Sequence, residues 1–159
     1  SKKREKRMTS NKIESRTIKL LHPDAKIPEY AHEGDAGMDL VSLETKSLKP
    51  NAVYVCKVGF SLGLPARMEA QIRSRSGNSI KGLVVANAPG TVDPGFEGEI
   101  GVIIRNTSDV QIVVEKGTKI AQMVFCPFFK VKLQEGETSQ GSKRGNGGFG
   151  STDGGKDNA

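Results

Sequence analysis

Five short segments of this chain carry polar side chains that a packed interior does not require. Asp39 follows a glycine turn and stands between apolar Met38 and Leu40. Such a carboxylate either caps a turn or serves as an outer partner to a hydrated Mg2+. Arg75-Ser76-Gly77 opens a short helical turn, where unpaired amides, a hydroxyl and a guanidinium suit a phosphate. An ordinary serine N-cap beside an exposed arginine accounts for the same residues. In Asn87-Ala88-Pro89-Gly90-Thr91-Val92-Asp93-Pro94-Gly95-Phe96-Glu97-Gly98, two Pro-Gly pairs mark tight bends and project Thr91 to Asp93 from the rim of a hairpin. Exposed backbone amides and the Asn87 side chain there could read the edge of a base, and Asp93 could orient a water. A plain surface hairpin is the alternative. Gln122 lies in the apolar run Ile120 to Phe125, so it must find a hydrogen-bond partner or face a cleft.

The fifth segment, Arg144 to Asp153, sets Arg144 and Phe149 among glycines and hydroxyls. Glycine lets the backbone approach a ligand closely, Phe149 offers a flat face for a base, and Arg144 offers a fork for phosphate. Disordered linkers and RNA-binding tails have the same composition. A segment like this has no core of its own and is expected to order only when clamped over something planar and anionic.

The elements that must position these groups read as strands. Arg16 to Leu21, Val53 to Val58, Met68 to Ile72 and Val110 to Val114 alternate, and Leu83 to Ala86, Ile100 to Ile104 and Ile120 to Phe125 are nearly continuous apolar runs. Ser76 to Lys81 is the single helical piece. Short strands separated by turn signals predict an all-β sandwich, barrel or jelly roll. Composition divides the 159 residues into a polar basic tail (1–15), a β domain (16–133) and a flexible Gly-rich C-terminal arm (134–159).

The net charge of +6 is concentrated in Lys2 to Arg7, which contributes 5 − 1 = +4. A lone terminal run of this kind solubilises or serves as a nuclear-import signal, and no basic helix, zinc spacing or stacking sheet accompanies it. Specific nucleic-acid recognition is therefore not expected. Cys56 and Cys126 form no metal or disulfide pattern, which fits a reducing, cytoplasmic setting with nuclear entry open. No run of eighteen apolar residues predicts a membrane span. His22 and His32 read as surface bystanders.

Taken in order, the segments resemble the five motifs of the homotrimeric dUTPase family. The matching residues are Ala36-Gly37-Met38-Asp39-Leu40, Arg75-Ser76-Gly77, Gly90 to Gly98, Arg105-Asn106 through Gln122, and Arg144 to Thr152. The resemblance implies a jelly-roll-like β fold and a homotrimer with active sites between subunits, each closed by a neighbour's arm. It implies hydrolysis of dUTP to dUMP and pyrophosphate with Mg2+, which limits uracil in DNA and supplies dUMP for thymidylate synthesis. By position, Asp39 would act on the metal through water, and Arg75, Ser76, Gly77 and Gln122 would hold the phosphate chain. Asn87 and the backbone near Gly90 and Val92 would pair with uracil. Asp93 would bind the 3′-OH and orient the attacking water. Phe149 would stack on uracil, Arg144, Ser151 and Thr152 would engage the terminal phosphates, and Gly150 would be among the substrate-binding residues of the closing arm.

Two positions depart from the family pattern. Phe96 stands where a tyrosine is usual, keeping the ring that excludes a ribose 2′-OH but losing the hydroxyl. Lys119 stands where arginine is common, and a lysine cannot reproduce a forked ion pair. The related dCTP deaminases carry a glutamate at the position matching Ile103, and isoleucine cannot shuttle protons. A non-catalytic regulatory module on the same scaffold is the remaining alternative.

Overall fold

The structure, a computed structural model, describes residues 15–138 and 142–150. The basic tail as far as residue 14, and Ser151 and Thr152, lie outside the described residues. The chain forms two compact units, residues 1–129 and 130–159.

Among the described residues, the first unit contains eleven strands and one helix: β1 (Thr17–Leu20), β2 (Met38–Val41), β3 (Lys46–Leu48), β4 (Val53–Lys57), β5 (Phe60–Gly63), β6 (Met68–Arg73), α1 (Ser76–Ile80), β7 (Leu83–Val85), β8 (Gly90–Val92), β9 (Gly101–Asn106), β10 (Ile112–Val114) and β11 (Lys119–Pro127). A four-stranded sheet runs in the order β2-β11-β6-β8 and a three-stranded sheet in the order β4-β9-β7, with the pairs β1-β5 and β10-β3 beside them. Every ladder is antiparallel. The fold is all-β with a single short helix, as the strand pattern implies, and no closed barrel forms among the described residues. No described helix is long and apolar enough to cross a membrane.

The two larger sheets share one core. Leu40, Ala70, Ile72, Val92, Ala121 and Met123 of the first meet Cys56, Leu83, Val85, Val102 and Ile104 of the second in a single buried cluster. Period-two alternation decides what remains outside. Because Leu40, Ala121 and Ile72 point inward, Asp39, Gln122 and Arg73 point outward, and register places these three side by side: Asp39 opposite Gln122, and Gln122 opposite Arg73. Truncating a buried member such as Ile72 to alanine is expected to cost about 2–5 kcal/mol. That cost reflects how firmly the outer row is backed.

One buried polar residue ties β9 to β3 and to the loop before β10. Asn106, fully buried at the end of β9, donates through Nδ2 to the carbonyls of Leu48 (2.9 Å) and Val110 (2.7 Å). Its Oδ1 accepts from the Ser108 amide (2.9 Å) and hydroxyl (2.7 Å). Every donor and acceptor of its amide is used, which is what makes a buried amide tolerable.

The structure corrects one local expectation. Gly90 to Val92 do not project from a hairpin rim but form β8, the edge strand paired with β6 in the register Ala70–Val92, Gln71–Thr91 and Ile72–Gly90. The Pro-Gly pairs do flank it, with a cis Ala88–Pro89 peptide before it and a turn closed by Phe96 N–H to the Asp93 carbonyl (3.1 Å) after it. A three-residue strand with one apolar side chain, Gly90-Thr91-Val92, carries neither an apolar run nor enough alternation to show in sequence.

Candidate active site

A polar cavity of about 450 Å3 opens beside β2, β11 and the start of α1. It is lined by Asp39, Arg75, Ser76, Gly77 and Gln122, together with Lys119 and the loop residues Ala31, His32, Asp35, Ala36 and Gly37. The first, second and fourth motifs therefore meet at one place. A cavity of similar size, about 470 Å3, is faced by Tyr30, Met38, Leu62, Met68, Met123 and Phe125 and offers mainly apolar walls.

Asp39 is the electrostatic centre of the polar cavity. Its Oδ1 pairs with Arg75 Nε at 3.0 Å and its Oδ2 with Lys119 Nζ at 2.9 Å. Burial acts to raise its pKa, but the Lys119 hydrogen bond and the charges of Arg75 and Lys119 outweigh it and hold the carboxyl below the ordinary carboxylate range. Asp39 is thus a paired carboxylate in a strand rather than a turn cap.

Arg75, not Ser76, occupies the N-cap position of α1, with extended backbone and no side-chain cap bond. The serine-cap expectation fails because Ser76 has already entered the helix, leaving its hydroxyl exposed at the cavity. The Arg75 carbonyl accepts from the Ser79 amide (2.9 Å) and hydroxyl (3.0 Å), which fixes the turn beneath the guanidinium.

Gln122 meets its requirement for a partner by donating Nε2 to the Ser74 carbonyl at 3.0 Å. Its Oε1 lies over Gly37 in space that a Cβ there would occupy. One of the two amide protons is committed and the other is left for a ligand.

His32 is an exposed residue, as its isolation in sequence suggests, but its backbone helps to shape the loop at the cavity. The loop before β2 is pinned by His32 N–H to Asp35 Oδ2 (2.9 Å) and Asp35 N–H to the His32 carbonyl (3.2 Å), and both residues line the cavity. The signal was present as a four-residue turn with glycine at Gly34, where φ is +91°, immediately upstream of the first motif.

The third motif stands elsewhere on the same sheet. Asn87, Gly90, Val92, Asp93 and Phe96 do not line the polar cavity. Asn87 is exposed with its amide packed against Gly90, Val92 turns its side chain into the core, and Asp93 is exposed. The Phe96 ring lies over Gly98, where an added Cβ would come within 2.7 Å of Cζ. By strand order, β8 is three strands from β2, about 14 Å, and Asp93 is level with Glu69, four residues along from the Asp39 row, so the two carboxylates are roughly 20 Å apart.

In the second unit, residues 142–147 form a tight turn. Gly145 N–H donates to the Ser142 carbonyl (3.1 Å), Gly147 N–H to the Arg144 carbonyl (2.9 Å), and Arg144 Nε to the Gly147 carbonyl (2.6 Å). Phe149 and Gly150 follow, both exposed and both at positive φ (+41° and +82°).

No described group of three or more His, Cys, Asp or Glu side chains could cage a metal ion. Asp39, with both oxygens already paired, suits only an ion that brings its own oxygen ligands.

Comparison with known proteins agrees with this geometry. The sequence profile described as dUTPase matches residues 23–153. A deoxyuridine 5'-triphosphate nucleotidohydrolase of Clostridium tetani is 52% identical over 136 residues, covering 85% of this chain and 94% of that protein. Another, from Alkaliphilus metalliredigens, is 49% identical with the same coverage. Among solved structures, a variant of the Staphylococcus bacteriophage 80alpha dUTPase with dUpNHpp superposes with a TM-score of 0.81 at 30% identity, covering 88% of this chain and 99% of that one. A variant of the dUTPase from phage phi11 of S. aureus, described as revealing the coordination of a structural Mg(II) ion, gives 0.73 at 27% identity, covering 80% and 100%. This chain belongs to the dUTPase family.

Proposed function

We propose that the chain hydrolyses dUTP to dUMP and pyrophosphate. The observation that carries this reading is the polar cavity, which gathers Arg75, Ser76, Gly77 and Gln122 around Asp39 as a polyphosphate would require. In-line attack of water at the α-phosphorus needs placement, a carboxylate acceptor and fixed positive charge on the departing pyrophosphate. Asp93 orients the water and takes up its proton. Arg75, Ser76 and Gln122 hold the phosphate chain, and Asn87 with the β8 backbone selects uracil. The Phe96 ring, seated on Gly98, leaves no space for a 2′-OH.

Asp39 would hold Mg2+ through water, and the ion would supply charge neutralisation on the phosphate oxygens. The working enzyme is a homotrimer. By ideal strand spacing Asp39 and Asp93 are roughly 20 Å apart, beyond the reach of one triphosphate, which supports a site completed by a second copy's β8. The arm, through Arg144, Phe149, Gly150, Ser151 and Thr152, closes the assembled site.

Ile103 lies in β9 opposite Val55, with no carboxylate at the position where a deaminase would need one, and this favours hydrolysis over deamination. The test is a substrate panel of dUTP, dCTP, dTTP and UTP with and without Mg2+. Pyrophosphate release from dUTP alone, dependent on Mg2+, is the expected result; ammonia release from dCTP would overturn the reading.

A further inference from the structure

The side chain of Lys119 points the wrong way for its place in the strand. In β11, Ala121 and Met123 are buried, and strict alternation would send Lys119 inward with them. Instead Ile120 and Ala121 are both buried in succession, and the register with β2 shifts between Lys119 and Ala121. This bulge turns Lys119 onto the outer face, beside Asp39 and Gln122. The Lys119 carbonyl then accepts from Asn78 Nδ2 at 2.8 Å, tying the bulge to α1. Bulges that re-aim a side chain are a recurring device beside active sites.

The re-aimed ammonium borders the polar cavity with its side chain about half exposed (49%), so it remains open to a ligand while touching Asp39. The charged groups on the cavity wall are two cations, Arg75 and Lys119, and two carboxylates, Asp35 and Asp39, with His32 beside them. Without a ligand Asp39 occupies both cations. Its bond to Arg75 runs through Nε, leaving the terminal amino groups of the guanidinium out of that contact. Its bond to Lys119 is a single point contact from an ammonium with three rotatable donors on a flexible stem. Lys119 can change partner by rotating its stem, with no backbone movement.

The geometry points to Lys119 as a direct ligand of the substrate's phosphate chain, parked on Asp39 in the free protein and transferred to phosphate oxygens when a polyphosphate fills the cavity. An arginine here could fork onto the carboxylate and would be released less readily; the lysine's single contact makes the pair a releasable one. The inference rests on the cavity being the phosphate site of the proposed reaction.

The experiment is lysine footprinting of the full-length chain with acetic anhydride in a magnesium-containing buffer, read by mass spectrometry. Inorganic pyrophosphate is the probe and deoxyuridine the control. Saturating pyrophosphate should protect Lys119 severalfold while deoxyuridine leaves its reactivity unchanged. In parallel, Lys119→Met should weaken pyrophosphate binding by about tenfold or more, as expected for loss of a hydrogen bond to a charged group. Lys119→Arg, which keeps the charge, should recover part of it. Pyrophosphate binding to wild type with no protection of Lys119, and equal affinity for Lys119→Met, would overturn this assignment and leave the proposed reaction standing. No pyrophosphate binding to wild type would overturn both.

Discussion

Gln122 Oε1 fills the space that a Cβ on Gly37 would need. The glycine of the first motif and the glutamine of the fourth are therefore one packing unit, with Nε2 of the same amide fixed on the Ser74 carbonyl at 3.0 Å. Gly37→Ala forces the amide aside. We expect it to lower kcat/KM for dUTP at least tenfold with a modest change in Tm, because the amide sits at the cavity and not in the core. Unchanged kcat/KM in a folded Gly37→Ala protein would remove Gln122 from the site.

Phe96 and Gly98 make a second such unit at the third motif. Gly98→Ala places a Cβ 2.7 Å from the present position of Phe96 Cζ, so the ring must tilt. Discrimination between dUTP and UTP should fall in this variant, while Phe96→Tyr should keep it. Measured kcat/KM ratios for the two nucleotides decide the matter, and an unaltered ratio in Gly98→Ala would show that the ring does not set sugar selection.

Asp93→Asn keeps shape and removes the proton acceptor. Turnover should drop by about 10^2 to 10^4, the usual scale for loss of a general base, with binding of dUpNHpp retained. Calorimetric titration of the analogue alongside pyrophosphate release separates the two effects. Comparable turnover in the variant would exclude Asp93 from water activation.

Truncation before Lys143 deletes the Arg144–Gly147 turn and Phe149 and leaves every described strand of the first unit in place. Tm and the oligomeric mass by light scattering are expected to persist, and dUTP turnover to collapse. Full activity in the truncated chain would sink the closure role of the arm.

The Asp39 carboxyl is held below its ordinary range, since its two cationic partners outweigh the burial that acts to raise it. A group with a depressed folded pKa contributes stability that is fully present above its unfolded value and is lost as pH falls through the folded one. Wild type should therefore lose Tm more steeply than Asp39→Asn on acidification below the ordinary carboxylate range. Parallel Tm profiles of the two proteins would contradict the ion-pair account.

The long strands were legible in sequence because β6, β9 and β11 carry five or more residues of apolar or alternating pattern. β2 (Met38–Val41), β3 (Lys46–Leu48), β5 (Phe60–Gly63) and β8 (Gly90–Val92) were not, since none has three apolar residues in succession as the similarly short β7 and β10 do. At the site, the residue types were readable but their grouping was not. The row of Asp39, Gln122 and Arg73 arises from ladder register between strands distant in the chain, and register is a tertiary property. The direction of Lys119 depends on a bulge that no local residue announces, and His32 reaches the cavity wall only through a turn whose spacing is ordinary for a loop.

The cavity wall is assembled from β2 near the start of the domain, the start of α1 in its middle and β11 at its end. During synthesis, a ribosome must release nearly the whole domain before Asp39 can meet Gln122. Nucleotide present in the cell can then bind and stabilise only the finished sheet, never a partial one, so it acts as a late lock on folding rather than as a template for it.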